Sequence, residues 1–290
     1  MKVKKVNAFT ESLHGGNPAG VVTDSPELTE YQMKYITKTL SVSETAFVFP
    51  SNVADYKIRF FSPTLEVDLC GHATIATFFI MAQEGIFGDV DEKITVDQET
   101  KAGILPVDIY FKDGNVEKVM MTQRNPILKG IHLNRKKIAK SLNVEISEID
   151  RSLPEQIVST GLFTLPVCVK SFDTLQAMKP DFDEVKAICK NIGVGSFHVF
   201  TFETIEKTSA YHARNFAPMY GIDEDPVTGT ANGAVCSYLH KNKILKKKNL
   251  VCEQGDIIGR SGRVFVEIDN NFVKVGGKAR LVEEKEIKIE

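Results

Sequence analysis

Tyr56-Lys-Ile-Arg-Phe-Phe-Ser-Pro63 is echoed by Tyr211-His-Ala-Arg-Asn-Phe-Ala-Pro218, with Tyr, Arg, Phe and Pro repeated at an offset of 155. The echo continues at an offset of 158, where Glu66 matches Glu224, Gly71 matches Gly229, Ala73 matches Ala231 and Ala76 matches Ala234. A three-residue indel separates the two blocks. Gln98 then matches Gln254, and Val107 falls near Val264. The same order at nearly one spacing implies an internal duplication. Each half runs as a strand, a proline loop, a glycine-started helix and then three strands.

Working outward, alternation of apolar and polar residues predicts strands over 2–9, 54–61, 93–97, 102–111 and 116–121. The second half answers with 195–202, 209–216, 262–268 and 271–276. Lys112-Asp-Gly-Asn115 and Asp269-Asn-Asn271 suit hairpin turns. Helical patterns are fewer, over 29–40, 71–84, 181–190 and 229–241. The tail, 278–290, is a further strand. Strand-rich halves that each hold one long apolar helix predict an α+β fold with a curved sheet around a helix. Regular βα alternation is missing, which excludes a purely parallel α/β sheet. The boundary is expected near Gln123-Arg-Asn-Pro126, where no Ser/Gly-rich tether occurs.

The chain has 290 residues, 42% hydrophobic and 26% charged, within the range of one large or two modest globular domains. Lys plus Arg total 36 against 38 Asp plus Glu, and this balance argues against a nucleic-acid partner. The longest apolar run, Ile75–Ala82, is about half the length a membrane span needs. The first residues lack the apolar core of a signal peptide, so a cytoplasmic protein with no membrane partner is expected. Five Cys without a CxxC pair oppose a disulfide framework or a thiolate zinc site, and the six His form no HExxH. No metal is therefore implied.

Glu66-Val-Asp-Leu-Cys-Gly-His-Ala-Thr74 and Glu224-Asp-Pro-Val-Thr-Gly-Thr-Ala-Asn232 each lead into a long helix. The free amides of a glycine-started helix form an anion site, and two of them facing a cleft would hold a carboxylate. Each is also a simple helix entry. Glu44 lies in Ser41-Val-Ser-Glu-Thr-Ala-Phe-Val-Phe49, where alternation puts Val42, Glu44 and Ala46 on one face. Desolvation there suits a general acid/base, but the pattern by itself favours an exposed strand-edge carboxylate. His72 is a proton shuttle or a first-turn polar residue. Asp225 begins a turn or faces the cleft. Asn17-Pro-Ala-Gly20 is a turn between strands. Cys70 is a small buried hydrophobe or a reactive thiol. Phosphate-loop, dinucleotide and nucleophile-elbow signatures are absent, and Lys241–Lys248 solvates a helix end.

Asn17-Pro-Ala-Gly20, Ser43-Glu-Thr-Ala-Phe47, Leu69-Cys-Gly-His-Ala-Thr74 and Glu224-Asp-Pro-Val-Thr-Gly-Thr-Ala231 together resemble the PhzF, or phenazine biosynthesis-like, family. The resemblance implies the diaminopimelate epimerase fold: two similar domains, each a barrel-like mixed β-sheet around a central helix, with the active site in the cleft between them. The domains would be 1–123 plus 278–290, and 124–277. It also implies a cofactor-independent isomerase that moves a proton in a small carboxylate-bearing substrate. Glu44 matches the family's acid/base glutamate, while His72, Asp225 and Thr230 match its supporting residues. Asn17, Gly71, Ala73, Gly229, Thr230 and Ala231 would bind substrate, and a homodimer is expected. Related epimerases place a Cys before the Gly of each central helix. Here those places hold Cys70 and Thr228, which disfavours two-thiol racemisation. Two alternatives stand beside the isomerase: an epimerase or racemase of a small acid, and a non-catalytic metabolite- or partner-binding protein.

Overall fold

A computed structural model describes residues 1–25, 28–269 and 272–288. The chain divides into two compact units, Met1–Thr122 with the segment from Gly276 onward, and Gln123–Val275. In the first, β1 (Lys2–Ala8), β2 (Asn17–Val22), α1 (Glu30–Leu40), β3 (Thr45–Phe49), β4 (Tyr56–Phe61), β5 (Glu66–Val67), α2 (Gly71–Gln83), β6 (Lys93–Thr100), β7 (Gly103–Lys112) and β8 (Asn115–Thr122) follow in order. The second holds β9 (Ile127–Gly130), α3 (Arg135–Leu142), β10 (Gln156–Ser159), β11 (Phe163–Cys168), α4 (Phe172–Ala177), α5 (Phe182–Ile192), β12 (Ser196–Thr201) and β13 (Tyr211–Ala217). It continues with β14 (Ile222–Asp225), α6 (Gly229–Lys241), β15 (Asn249–Gln254) and β16 (Gly262–Ile268). β17 (Val273–Gly277) straddles the second boundary, and β18 (Ala279–Glu286) belongs to the first unit.

The duplication appears in the strand pairing. In the first unit β18 and β1, then β1 and β2, pair antiparallel; β2 and β3 are parallel, β3 and β4 antiparallel, β4 and β6 parallel, β6 and β7 antiparallel. The second unit repeats that series with β9, β10, β11, β12, β13, β15 and β16 in the corresponding places. The echoed arginines explain why the motif persists. Arg59 donates to both carboxylate oxygens of Glu66 at 2.8 and 2.9 Å, and Arg214 to those of Glu224 at 2.9 and 2.7 Å. Each guanidinium also stands 5.0 Å from a ring centroid, that of Phe61 or Phe216. Such forked pairs fix direction as well as distance. They tie β4 to β5, and β13 to β14, just ahead of each central helix.

α2 is apolar all round, and Ala73 through Ala82 are all buried. It packs on β1, β2, β3, β7, β8 and β18, so the sheet wraps it, as a helix without a polar face requires. α6 is buried from Ala231 to Leu239 and packs on β10, β11, β12 and β16. Each fully buried large side chain on these helices contributes about 1.5–3 kcal/mol. Outer helices cover the opposite sheet faces. Met33, Ile36 and Leu40 of α1 pack with Val3, Val22, Phe47 and Phe61. Ile138 of α3, Leu175 of α4 and Val185 and Cys189 of α5 pack with Leu165, Phe197 and Phe216. Strands covered on both sides lose alternation, which is why every residue of β12 and β13 is buried.

Several sequence expectations change. Asn17-Pro-Ala-Gly20 opens strand β2 instead of forming a turn. Pro18 is tolerated because it faces Asn7 of β1, while the β3 side of the strand is paired only from Gly20 onward. Helices α3 and α4 were not anticipated, nor were β9, β10 and β11. β18 is mostly exposed instead of alternating, and its charges 283–286 solvate a sheet edge. Lys112-Asp-Gly-Asn115 forms the expected hairpin, with positive φ at both Asp113 (51°) and Gly114 (73°). Of the second hairpin, Asn270 and Asn271 lie outside the described residues.

Candidate active site

Glu44 sits where α1 turns into β3. Ser41 ends α1 in the left-handed conformation with φ 52°, and Gly20 N donates to the Glu44 carbonyl at 2.9 Å. Thr45, Ala46, Phe47 and Val48 are all buried, so β3 has no polar face. With Val42 and Thr45–Val48 all buried, burial does not alternate along this stretch. Glu44 stands at the mouth of a doubly covered strand, with 20% of its side chain exposed. Its Oε2 lies 3.4 Å from Nε2 of His72, the second residue of α2. Nδ1 of that ring lies 3.4 Å from Cys70 Sγ, and Ser43 Oγ stands 3.5 Å from Nε2. Glu44, His72 and Cys70 thus converge at the start of α2.

Cys70 is the N-cap of α2 and makes no side-chain cap, so the first-turn amides depend on partners beyond the helix. A Cβ on Gly71 would meet nothing closer than Met121 Cε at 3.8 Å. Packing does not require glycine there, and the backbone of the first turn is left uncovered by any side chain of its own. Ala73 is fully buried, and any contribution it makes to a ligand comes through its backbone. Asn17, 3% exposed, opens β2 opposite Ala8.

In the second unit, Thr228 occupies the place of Cys70. Its hydroxyl donates to Asp225 Oδ2 in a very short hydrogen bond and accepts from Gln254 Nε2 at 3.1 Å. Gln254 is fully buried and holds this loop at four points. Its Oε1 accepts from Thr228 N at 3.1 Å and Asn232 Nδ2 at 2.8 Å, while Nε2 also donates to the Asp225 carbonyl at 2.9 Å. Thr160 Oγ1 donates to the Thr230 carbonyl at 3.1 Å, fixing the first turn of α6. Gly229 and Ala231 are buried in that turn.

A family model described as phenazine biosynthesis-like protein matches residues 6–285. The chain belongs to the PhzF family. Among PhzF relatives, the uncharacterized isomerase YfhB of Bacillus subtilis is 37% identical over 269 residues, covering 92% of this chain and 90% of its own. The crystal structure of a Bacillus anthracis phenazine biosynthesis protein of the PhzF family superposes with a TM-score of 0.89 at 36% identity, over 100% of this chain and 99% of that one. A probable proline racemase from Agrobacterium radiobacter, with bound carbonate, is 12% identical with a TM-score of 0.66 over 100% and 93% of the two chains, and shares the fold alone. The mixed α/β architecture expected from the PhzF resemblance is thus present.

Beside these PhzF motifs, sequence reasoning gave no role to Gln254, Ser43 or the Arg–Glu pairs. The repeat itself carried the signal for Gln254, whose counterpart Gln98 is also fully buried and accepts from Thr74 Oγ1 at 3.5 Å. Spacing rules also passed over a donor set. One ligand atom each from Glu44, Cys70 and His72 can be chosen so that all three lie within 4.8 Å of one another. Chemically, the arrangement offers a carboxylate to take a proton from carbon, an imidazole to share it, and helix amides to hold an anion.

Proposed function

We propose that this enzyme is an isomerase that moves a proton within a small carboxylate-bearing metabolite, with Glu44 as the acid/base. The observation that carries this reading is Glu44 Oε2 at 3.4 Å from His72 Nε2, beside the uncapped start of α2. In the proposed cycle the Glu44 carboxylate takes a proton from one carbon. It returns the proton to another carbon on the same face of a conjugated substrate, so one carboxylate suffices. Charge spreads onto the substrate as the proton leaves, and amides at Gly71–Ala73 stabilise it. His72 steadies the proton on Glu44. Support comes also from full-length relatives named as isomerases. Two-thiol epimerisation has less support, because the Thr228 hydroxyl is committed to Asp225.

The test is solvent deuterium incorporation, followed by mass spectrometry, on a panel of small carboxylates that includes a dihydro-hydroxyanthranilate. Wild type exchanges at a carbon whose double bond migrates, and Glu44→Gln loses roughly 10²–10⁴-fold of the rate, the usual worth of a positioned acid/base. Exchange that survives the substitution would move the base elsewhere. Label at a stereocentre with inversion would make the enzyme an epimerase.

A further inference from the structure

We propose that Glu44, Cys70 and His72 form a site for one divalent cation of the zinc class, and that its occupancy silences the acid/base glutamate. The binding half stands on geometry alone; the silencing half rests on the function proposed above. Around zinc, bonds of about 2.0–2.3 Å place tetrahedral donors roughly 3.3–3.7 Å apart. With Nε2 as the imidazole donor, the nitrogen–oxygen separation is 3.4 Å and the sulfur–nitrogen separation 3.8 Å. All three donors lie within 4.8 Å of one another, so side-chain rotation has to draw them together to close the set around an ion. A thiolate, a neutral imidazole and a carboxylate are the donor types zinc prefers, and the first and last together cancel its charge. Three protein ligands leave a position for water.

The site is reachable yet sheltered. Glu44 and His72 keep 20% and 13% of their side chains exposed, and Cys70 is buried. Among the described residues it is the one group of three such donors so close together. The second unit cannot copy it, since Thr228 and Thr230 stand where Cys70 and His72 stand in the first. Occupancy engages the Glu44 oxygens that would otherwise accept the substrate proton.

The probe is Co²⁺ added to chelator-treated protein. A thiolate ligand gives a near-ultraviolet charge-transfer band, and visible bands report a low coordination number. Wild type is expected to develop both at one equivalent, with Zn²⁺ abolishing them. Cys70→Ser is expected to lose the charge-transfer band. His72→Gln and Glu44→Gln should each lower Co²⁺ affinity by at least the ~10–100-fold that loss of a mere supporting partner costs. Thermal unfolding without metal checks that each variant is folded. Cys168 and Cys189 are buried, and burial pushes their thiols up to about 12, so they compete poorly for the ion. A charge-transfer band that persists in Cys70→Ser would overturn the proposal and point to Cys236 and Cys252, whose sulfurs lie 3.3 Å apart. No band in folded wild type would overturn it too, as would unchanged affinity in both His72→Gln and Glu44→Gln should Cys70→Ser fail to fold. In the exchange assay, Zn²⁺ should stop wild-type turnover. Turnover that continues with zinc bound refutes the silencing, whereas a clear cobalt band without exchange on any substrate counts against the isomerase reading alone.

Discussion

Glu66→Gln should cost about 2–3 kcal/mol at neutral pH, and most of that cost should vanish in acid. The Arg59 guanidinium, bonded to both Glu66 oxygens, lowers the carboxyl pKa from 4.5 to about 2, against the opposing effect of burial, and Lys101 at 2.7 Å adds to the lowering. At about 1.36 kcal/mol per pH unit, that difference is worth about 3 kcal/mol. Lys101 is 54% exposed, so solvent screens its share and trims the figure toward 2. Folding depresses this pKa, so the folded state binds fewer protons than the unfolded state between the two values. The contribution is therefore whole above about pH 4.5, falls below half near pH 3 and is lost as the pH drops through about 2. Urea unfolding of wild type and variant, followed by circular dichroism at pH 7 and pH 3, measures the difference at each. A gap of equal size at both pH values would refute the electrostatic reasoning and assign the cost to packing.

Arg214→Met should destabilise by about 3–5 kcal/mol, more than Arg59→Met, because a nearly buried charge pair is broken. Arg214 also donates to the carbonyls of Leu175 and Met178 at 3.0 and 2.9 Å, whereas Glu66 keeps Lys101 when Arg59 is lost. Guanidinium midpoints with unchanged slopes decide the order. Gln254→Glu replaces two N–H donations with a second carboxylate oxygen facing the Asp225 carbonyl and the Thr228 hydroxyl. It should destabilise the second unit by about 1–3 kcal/mol, since buried partners lose their hydrogen bonds. An unchanged melting temperature would show that these bonds are dispensable. Gly276→Ala should cost at least about 3 kcal/mol, because its Cβ would fall 1.9 Å from the Val119 carbonyl oxygen, a backbone atom that cannot swing aside. A melting temperature within a degree or two of wild type would contradict that packing.

The duplication was legible because a few residues do the same work twice. Tyr, Arg, Phe and Pro survive at one spacing and Glu at a spacing three residues longer, and the structure gives the reason the Arg–Glu partnership outlasts the indel: the guanidinium and carboxylate must meet in one geometry. The central helices were equally plain, since thirteen residues with almost no charge can only be wrapped; Gly229–Lys241 coincides with its expected bounds. Short elements were harder. β10 and β11 span four and six residues, too few to establish a period, and β2 hides behind Pro18. At the site, Glu44 and His72 could each be named from motifs, but their approach could not, because it depends on how α1 delivers the chain to β3. The burial of Gln254 was out of reach for a similar reason. A glutamine in a strand says nothing of the four bonds that will enclose it.

β1 lies between β2 and β18, with Lys2 opposite Glu286 and the Met1 ammonium donating to the Ile287 carbonyl at 3.0 Å. On a ribosome the partners of this strand arrive at opposite ends of synthesis. β2 follows within seconds, but at about 5–20 residues per second the far edge of β1 waits roughly 15–55 s for β18. Throughout that interval a row of backbone donors and acceptors stands open to any passing strand. The second unit is complete in sequence before the first can close. Nascent chains stalled just short of β18 thus present an open strand edge, and β18 is what seals it.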